Sequence, residues 1–443
     1  MNKALPMTLE FEQLPPEAIP LSQSQINQAM DFSNQLRDES KQWQTYLNAL
    51  SLSAFETWLE SRGNYFNINR EESTLSQPRF ANVIPIVANL KVNEFKLCLI
   101  TTGSFIDEQV SIPRAVIDVP EYIPHFYVLV EVIEEEEKAI IQGFISYQEL
   151  SARQQSVNLE PDTDWIYELP LSWLCNEPDR LLLYLRCLEL EAISLPAIPT
   201  NRAQNLELAK NELIEILPQL KTEEIWEILT WEQAIIVLTS PELIDWIYNL
   251  QTQEEILQET SLQQHLSDVF KLISQPTINV GRWLWDELDD LAEATWNLLP
   301  NIAPQPVMRS PVEEFTVISS QLQQRGLEIP VQARGAYQNL SLAGVPLRIY
   351  AVTWHLLSES EPNSWTLLLI LGTPALDSLP HNLKLRISDQ TGILVEQKVN
   401  PEFGNTYLFT RVIGNFDEKF LVSVSLGDGV EMTLPSFAFD ISR

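Results

Sequence analysis

The sequence is short of the residues that build most active sites. It has four histidines, His125, His265, His355 and His381, scattered along 443 residues. None has a second histidine at metal-ligand spacing, and no His-Glu-x-x-His occurs. The first 300 residues contain four glycines, Gly63, Gly103, Gly143 and Gly281. A fold that cradles a nucleotide on a glycine-rich loop is not expected there. The chain has no Gly-Lys-Ser/Thr phosphate loop, no Gly-x-Gly-x-x-Gly and no Gly-x-Ser-x-Gly elbow. Its three cysteines, Cys98, Cys175 and Cys187, are odd in number and lack the two-residue spacing of a zinc or redox motif. They read as reduced, buried thiols, which places the chain in a reducing compartment. Met1 to Pro6 has no basic start and no apolar stretch like that of a signal peptide. No apolar run approaches the roughly 18 residues that span a membrane. The expectation is a cytoplasmic protein with no membrane partner.

Positive charge is also scarce. There are 28 basic and 61 acidic side chains, a net charge of −33. Residues 121–300, with 9 basic and 33 acidic side chains, hold −24 of it. A field of that sign repels phosphate, so nucleic acid is not an expected partner. A basic protein surface is.

What is present is apolar mass. Hydrophobic residues make up 45% of the chain, with 12 Trp, 17 Phe and 11 Tyr. Such a chain can bury large cores and is not disordered. Its length suggests about three domains, at roughly 150 residues each.

The expected fold class is α+β and multidomain. Residues 1–200 form the first domain. Residues 1–21 are punctuated by prolines, and Ser22 or Ser24 then caps a helix near Gln25. A second helix through Phe55, Trp58 and Leu59 ends at Arg62-Gly63. From Phe80 the apolar period changes to two. Strands are expected at Val83–Val87, Phe95–Ile100, Ala115–Val119, Phe126–Val130 and Ala139–Phe144, as a small β-barrel or sandwich. Glu134 to Glu137 read as a solvated hairpin turn. Residues 204–299 are expected as an acidic helical domain whose last helix runs from Val280 to Leu299. A Pro-rich linker, 300–312, leads to 313–443. There, strands at about 346–357, 364–371, 383–388, 392–399, 406–413, 418–426 and 430–440 suggest an immunoglobulin-like sandwich.

Two constellations carry chemical interest. On a continuous helix, Asp286, Asp289, Asp290 and Glu293 share one face, the spacing of a carboxylate site for Mg²⁺ or Ca²⁺. The plainer reading is the solvated face of an amphipathic helix, on which Asp289→Asn changes stability by no more than about 0.5 kcal/mol. The second is the tryptophan supply, Trp226, Trp231, Trp246, Trp283, Trp285 and Trp296. Tryptophans line grooves for sugars and basic peptides; they also fill helical cores.

One set of phrases is distinctive: Ser111-Ile-Pro-Arg-Ala-Val-Ile-Asp-Val-Pro120, His125-Phe-Tyr-Val-Leu-Val-Glu-Val132, Gly143-Phe-Ile-Ser-Tyr147 and Leu169-Pro-Leu-Ser-Trp-Leu174. In these the chain resembles a cyanobacterial family called domain of unknown function 1822, over roughly residues 5–350. Leu385 to Gly392 and Glu418 to Val422 resemble tails of the same group. The resemblance implies no activity and no catalytic residue. In physical terms Leu169 to Leu174 reads as an apolar latch, and Arg114 and Asp118 lie four apart on one strand face.

The expected function is therefore that of a non-catalytic interaction or scaffold protein with a protein partner, and no cofactor. A metal-dependent hydrolase using residues 286–293 is the alternative, and a carbohydrate-binding protein the third reading.

Overall fold

The structure, a computed structural model, describes residues 18–63, 66–103, 108–252, 259–300, 311–358, 361–374, 378–399, 406–427 and 429–441. Most of the proline-rich start and most of the 300–312 linker lie outside them. Contacts divide the chain into two units, Met1–Glu254 and Glu255–Arg443.

In the first unit, capping signals set the opening helices. Ser22 caps α1 (Gln23–Ser33) in a reciprocal box with Gln25, whose side chain accepts the Ser22 N–H at 2.8 Å. Asp38 caps α2 (Glu39–Ser61) by accepting the Ser40 N–H at 2.8 Å. The helix break therefore falls at 34–38, and α2 runs unbroken through Ser51 and Ser53. Burial explains this: α2 buries Thr45 to Leu52 and then Ala54, Phe55, Trp58 and Leu59.

The main sheet has β1 (Ile19–Pro20), β2 (Ile68–Asn69), β3 (Val87–Val92), β4 (Phe95–Thr102), β6 (Phe126–Ile133) and β7 (Lys138–Ser146), in the order β1-β7-β6-β4-β3-β2. All neighbours run antiparallel except β4 and β6, which pair in parallel from Leu97↔Phe126 to Thr102↔Glu131. A separate ladder joins β5 (Gln109–Pro113) to β8 (Ile166–Pro170). The expected barrel or sandwich is thus one open mixed sheet with both faces covered. On one face Phe55 and Trp58 of α2 meet Leu97, Leu99, Val128 and Phe144. On the other, Cys98, Tyr127 and Leu129 meet Val110, Ile112, Tyr167 and Leu169. Coverage on both sides is why Phe126 to Val130 is buried at every residue.

Two short helices punctuate this unit, α3 (Pro78–Ala81) and α4 (Ala115–Asp118). The latter replaces the strand expected at Ala115–Val119. Arg114 takes helical angles, and one turn later its Nε reaches Asp118 Oδ2 at 2.7 Å. On a strand that pair would lie far apart. The latch continues past Leu174: Cys175 pairs its backbone with Phe144, at 2.8 and 3.1 Å. Any Cβ at Gly143 would lie 2.5 Å from the Cys175 carbonyl oxygen. Helices α5 (Tyr147–Val157), α6 (Asp179–Cys187), α7 (Arg202–Ile216), α8 (Ile225–Ile228), α9 (Trp231–Leu238) and α10 (Pro241–Thr252) complete the unit.

The expected helical domain 204–299 is shared between the units. In the second unit follow α11 (Glu259–Ser274), β9 (Thr277–Asn279), a tight 3₁₀ stretch Val280–Trp285, α12 (Asp290–Glu293), β10 (Asn297–Leu298) and α13 (Pro311–Gln324). The continuous helix from Val280 to Leu299 does not form. Asn279 and Asp289 each cap a new short segment, and Asp286 takes left-handed angles, φ 59°, which stops the first.

Next come β11 (Arg334–Leu342), β12 (Val345–Ser358), β13 (Glu361–Gly372), β14 (Leu383–Ser388), β15 (Ile393–Lys398), β16 (Tyr407–Asn415), β17 (Leu421–Leu426), β18 (Val430–Thr433) and β19 (Ser436–Ala438). They form an antiparallel five-stranded sheet, β10-β11-β12-β13-β16, and a four-stranded one, β15-β14-β17-β18. Trp365, Leu367 and Leu369 meet Leu385, Ile387 and Val422 between them. Ile318 and Leu322 of α13 cover the far face of the five-stranded sheet at Tyr350 and Leu368. Consecutive β11, β12 and β13 stay in one sheet. An immunoglobulin plan instead moves its third strand to the opposite sheet.

Candidate functional site

A feature of the first unit that could serve a ligand is a groove along the opening turns of α2. Three adjoining cavities make it, of about 550, 230 and 260 Å³. The first two share Gln44 and Pro85, and the last two share Lys41, Asn82, Leu220, Glu224 and Gln251. One wall is α2. The floor is the link from α3 to β3. The opposite wall is the stretch from Leu220 to Trp226, with α10 behind it.

Hydrogen bonds build these walls in advance. Asn82 Nδ2 donates to Gln251 Oε1 at 2.6 Å, and Gln251 Nε2 donates to the Leu220 carbonyl at 2.8 Å. Arg79 pairs with Asp245 at 2.5 Å. The Tyr248 hydroxyl donates to the Gln35 carbonyl at 3.0 Å, and Asn48 Nδ2 to the Pro85 carbonyl at 3.2 Å.

The chemistry changes along the groove. The middle is apolar, with Val83, Pro85, Ile225, Ile247 and Trp226, the last 39% exposed. One end is polar, with Thr101, Thr102, Gln109, Glu168 and Ser111, whose hydroxyl donates to Glu168 at 2.7 Å. The other end is charged, with Arg37, Asp38, Lys221 and Glu223. Hydrogen bonds from Ser40, its hydroxyl first, hold the Asp38 carboxyl below its usual range. Where middle and charged end meet, Lys41 Nζ lies 3.5 Å from Glu224 Oε2, across the groove. The lining holds neither histidine nor cysteine. Its arrangement suits binding.

The carboxylates singled out by sequence do not converge. Asp286 pairs with Arg334 Nε at 3.1 Å. Asp289 accepts the N–H groups of Asn279 and Ala292, at 2.7 and 2.8 Å, and is thereby committed to capping. Asp290 and Glu293 sit on the four-residue α12. Among the described residues no group of three or more His, Cys, Asp or Glu side chains is placed to hold a metal ion.

Of the tryptophans, Trp246, Trp283 and Trp296 are core. Trp285 is 38% exposed, and Trp231 is covered by Arg114, whose guanidinium carbon lies 4.1 Å from its ring centre. Asp118 also accepts from the Tyr167 hydroxyl at 3.1 Å. Burial first, and the Asp118 charge second, push that phenol up to about 12, and the contact ties α4 to β8. His125 is buried, its Nδ1 accepting the Lys96 N–H at 2.9 Å. Glu134 to Glu137 are exposed in the turn between β6 and β7. Cys98 is buried, but Cys187 is exposed, on the side of α6 away from Leu181 and Leu185.

Sequence reasoning missed Lys41, Asn82, Glu224 and Gln251, which come from three distant segments and carry no local motif. Trp226 alone was within reach, as a tryptophan outside any clear stripe.

No curated protein and no solved structure matches the chain. A family model described as a protein of unknown function (DUF1822) matches residues 19–434, which takes in both units and extends the resemblance seen in the N-terminal phrases. The chain belongs to the DUF1822 family.

Proposed function

We propose that this is a non-catalytic interaction protein, and that the groove along α2 holds an extended segment of a protein partner. The carrying observation is the groove itself: preformed walls, an apolar middle beside a half-exposed Trp226, and polar ends. Tryptophan in such a position is the usual anchor of a protein contact. The partner segment we infer is basic. The groove itself is lined by Glu168, Asp38, Glu223 and Glu224 against Arg37, Lys41 and Lys221, and the stretch from Arg202 to Thr252, which includes the wall facing α2, has 9 acidic and 3 basic side chains. The net charge of −33 steers a cationic segment toward this chain and a phosphate backbone away from it. The setting we infer is a cytoplasm, for which the free cysteines speak, and the source cyanobacterial, as the resemblance implies.

The test is a panel of immobilised twelve-residue peptides that combine one Leu or Trp with several Arg or Lys, set against charge-reversed copies. The full chain is expected to retain the basic set, less so as salt rises. Trp226→Ala, with its melting temperature unchanged, is expected to weaken binding about thirtyfold, the scale of a hot spot worth about 2 kcal/mol. Equal retention of both sets, or no effect of Trp226→Ala, would sink the reading.

A further inference from the structure

We infer that the partner segment carries an arginine or lysine that takes the place of Lys41 on Glu224, next to an apolar side chain seated against Trp226. This rests on the groove reading above and names the two-point motif the groove selects.

Glu224 is fixed as a cation acceptor. It stands at the start of α8, where its backbone N–H is held by Glu227 Oε2 at 3.1 Å. It lies two residues before Trp226, and both line the same apolar middle of the groove. A ligand side chain that fills the middle places its neighbours within reach of Glu224. The Glu224 carboxylate is already occupied, by Lys41 from the opposite wall at 3.5 Å. The pair is partly open, the two side chains being 17% and 35% exposed. It spans the path that an extended segment would follow from the apolar middle to the charged end.

The exchange conserves charge. One ion pair is broken and one formed, so Glu224 is never left alone in the groove. The released Lys41 has a second acceptor at hand. Asp38 lies three residues earlier on the same helix end and already feels the Lys41 charge. An arginine is the better entrant, because its planar fork can hold both carboxylate oxygens while its face lies on an indole. Lys41 is therefore a competitor for the site, and its removal should strengthen binding. A merely structural Lys41 would give the opposite sign.

The experiment uses the full chain and two fluorescent twelve-residue peptides, one with arginine beside a leucine and one with glutamine in place of that arginine. Affinities are measured for the wild type, Lys41→Met, Lys41→Gln, Glu224→Gln, the Lys41→Met/Glu224→Gln double variant and Lys221→Met. Melting curves confirm that each is folded. Both Lys41 variants are expected to bind the arginine peptide about threefold tighter, the size of a partly exposed ion pair. The gain should vanish with the glutamine peptide and in the double variant, and Glu224→Gln alone should weaken binding. Lys221→Met makes the same charge change at the far end of the groove and should give a smaller gain. Weaker or unchanged binding in both Lys41 variants overturns the exchange. So does an equal gain with the glutamine peptide or with Lys221→Met, which would assign it to the general field. If neither the wild type nor a Lys41 variant binds any peptide, the groove reading falls, and the exchange with it.

Discussion

Charge is handled differently in the two units. In the second, buried charges are closed on one another. Asp268 on α11 is fully buried, and accepts from Arg386 Nη2 at 3.1 Å and the Ser388 hydroxyl at 3.0 Å, both on β14. Lys271 reaches it at 3.5 Å, and Glu431 joins both cations, at 3.1 and 3.2 Å. Glu314 on α13 is held in the same way by Arg348 and, at 3.0 Å, by the Tyr350 hydroxyl. In the first unit some pairs are also internal ties, such as Arg202–Glu121 at 2.9 Å. Lys41–Glu224 is different, since no fully buried carboxylate such as Asp268 anchors it, and it lies in a groove where another cation can compete. The comparison teaches that a salt bridge means little until its surroundings are known. A closed network fixes how a helix docks on a sheet and is severe to break. An open pair contributes little to stability and can be exchanged.

Three measurements would break or sharpen this contrast. The largest effect is expected from Asp268→Ala, which removes the buried one of the two carboxylates that Arg386 and Lys271 share. A loss of about 3–5 kcal/mol is expected, seen by hydrogen exchange in α11, β14 and β17, with α2 as the internal control. Equal loss of protection in α2 would mean that the units do not open separately.

Asp289→Ala should come next, at about 1–2 kcal/mol, because it removes the cap that accepts two backbone N–H groups. Asp290→Ala and Glu293→Ala should stay within about 0.5 kcal/mol in the same denaturant titration. If these three carboxylates behaved alike, the capping account would be wrong. The tolerance expected of Asp289→Asn does not extend to Asp289→Ala, since asparagine can still cap the segment and alanine cannot.

The smallest effect concerns pH and touches both units. Burial pushes the imidazoles of His125 in the first unit and His265 in the second below their ordinary range. The folded state thus binds a proton less readily than the unfolded one. The stability these histidines contribute is present above the ordinary histidine range and is lost as pH falls through that range toward the folded values. The slope is at most about 1.4 kcal/mol per pH unit for each. Denaturant titrations at pH 7.5 and 5.5 should show it, and His125→Gln and His265→Gln should each flatten it. A pH response unchanged in both variants would place it elsewhere.

Much of the local structure was legible in the sequence. Ser22 as a cap, the strands β4, β6 and β7, and those from β12 to β18 all follow from capping chemistry and period. The failures share a cause. The spacing of Leu284, Leu288, Leu291 and Leu298 is helical, yet Asn279, Asp286 and Asp289 are better at stopping and starting helices than those leucines are at sustaining one. Val116, Ile117 and Val119 are β-branched and apolar, yet the Arg114–Asp118 pair and the helical angles of Arg114 make this stretch a helical turn. β11 was missed because residues 334–342 alternate weakly, and α13 because its proline start was read as linker. The parallel pairing of β4 and β6 leaves no local trace. The groove was illegible for the same reason, since tertiary packing assembles it from segments far apart in the chain.

The pairing of β19 with β9 has a consequence for synthesis. Ser436 to Ala438 lies parallel to Thr277 to Asn279, and the Asn279 side chain donates to the Asp440 carbonyl at 2.9 Å while accepting the Asp440 N–H at the same distance. Gly281 lies so close to that segment that a Cβ there would sit 2.4 Å from the Asp440 carbonyl oxygen. A growing chain emerges in order. In the first unit one core can close once Ile193 is free and the other once Leu238 is, because each is the last buried member of its cluster. The second must hold β9 unpaired until β19, 159 residues later, has left the ribosome. Its folding is therefore gated by β19, and a chain that stops before Ser436 leaves β9 without its parallel partner.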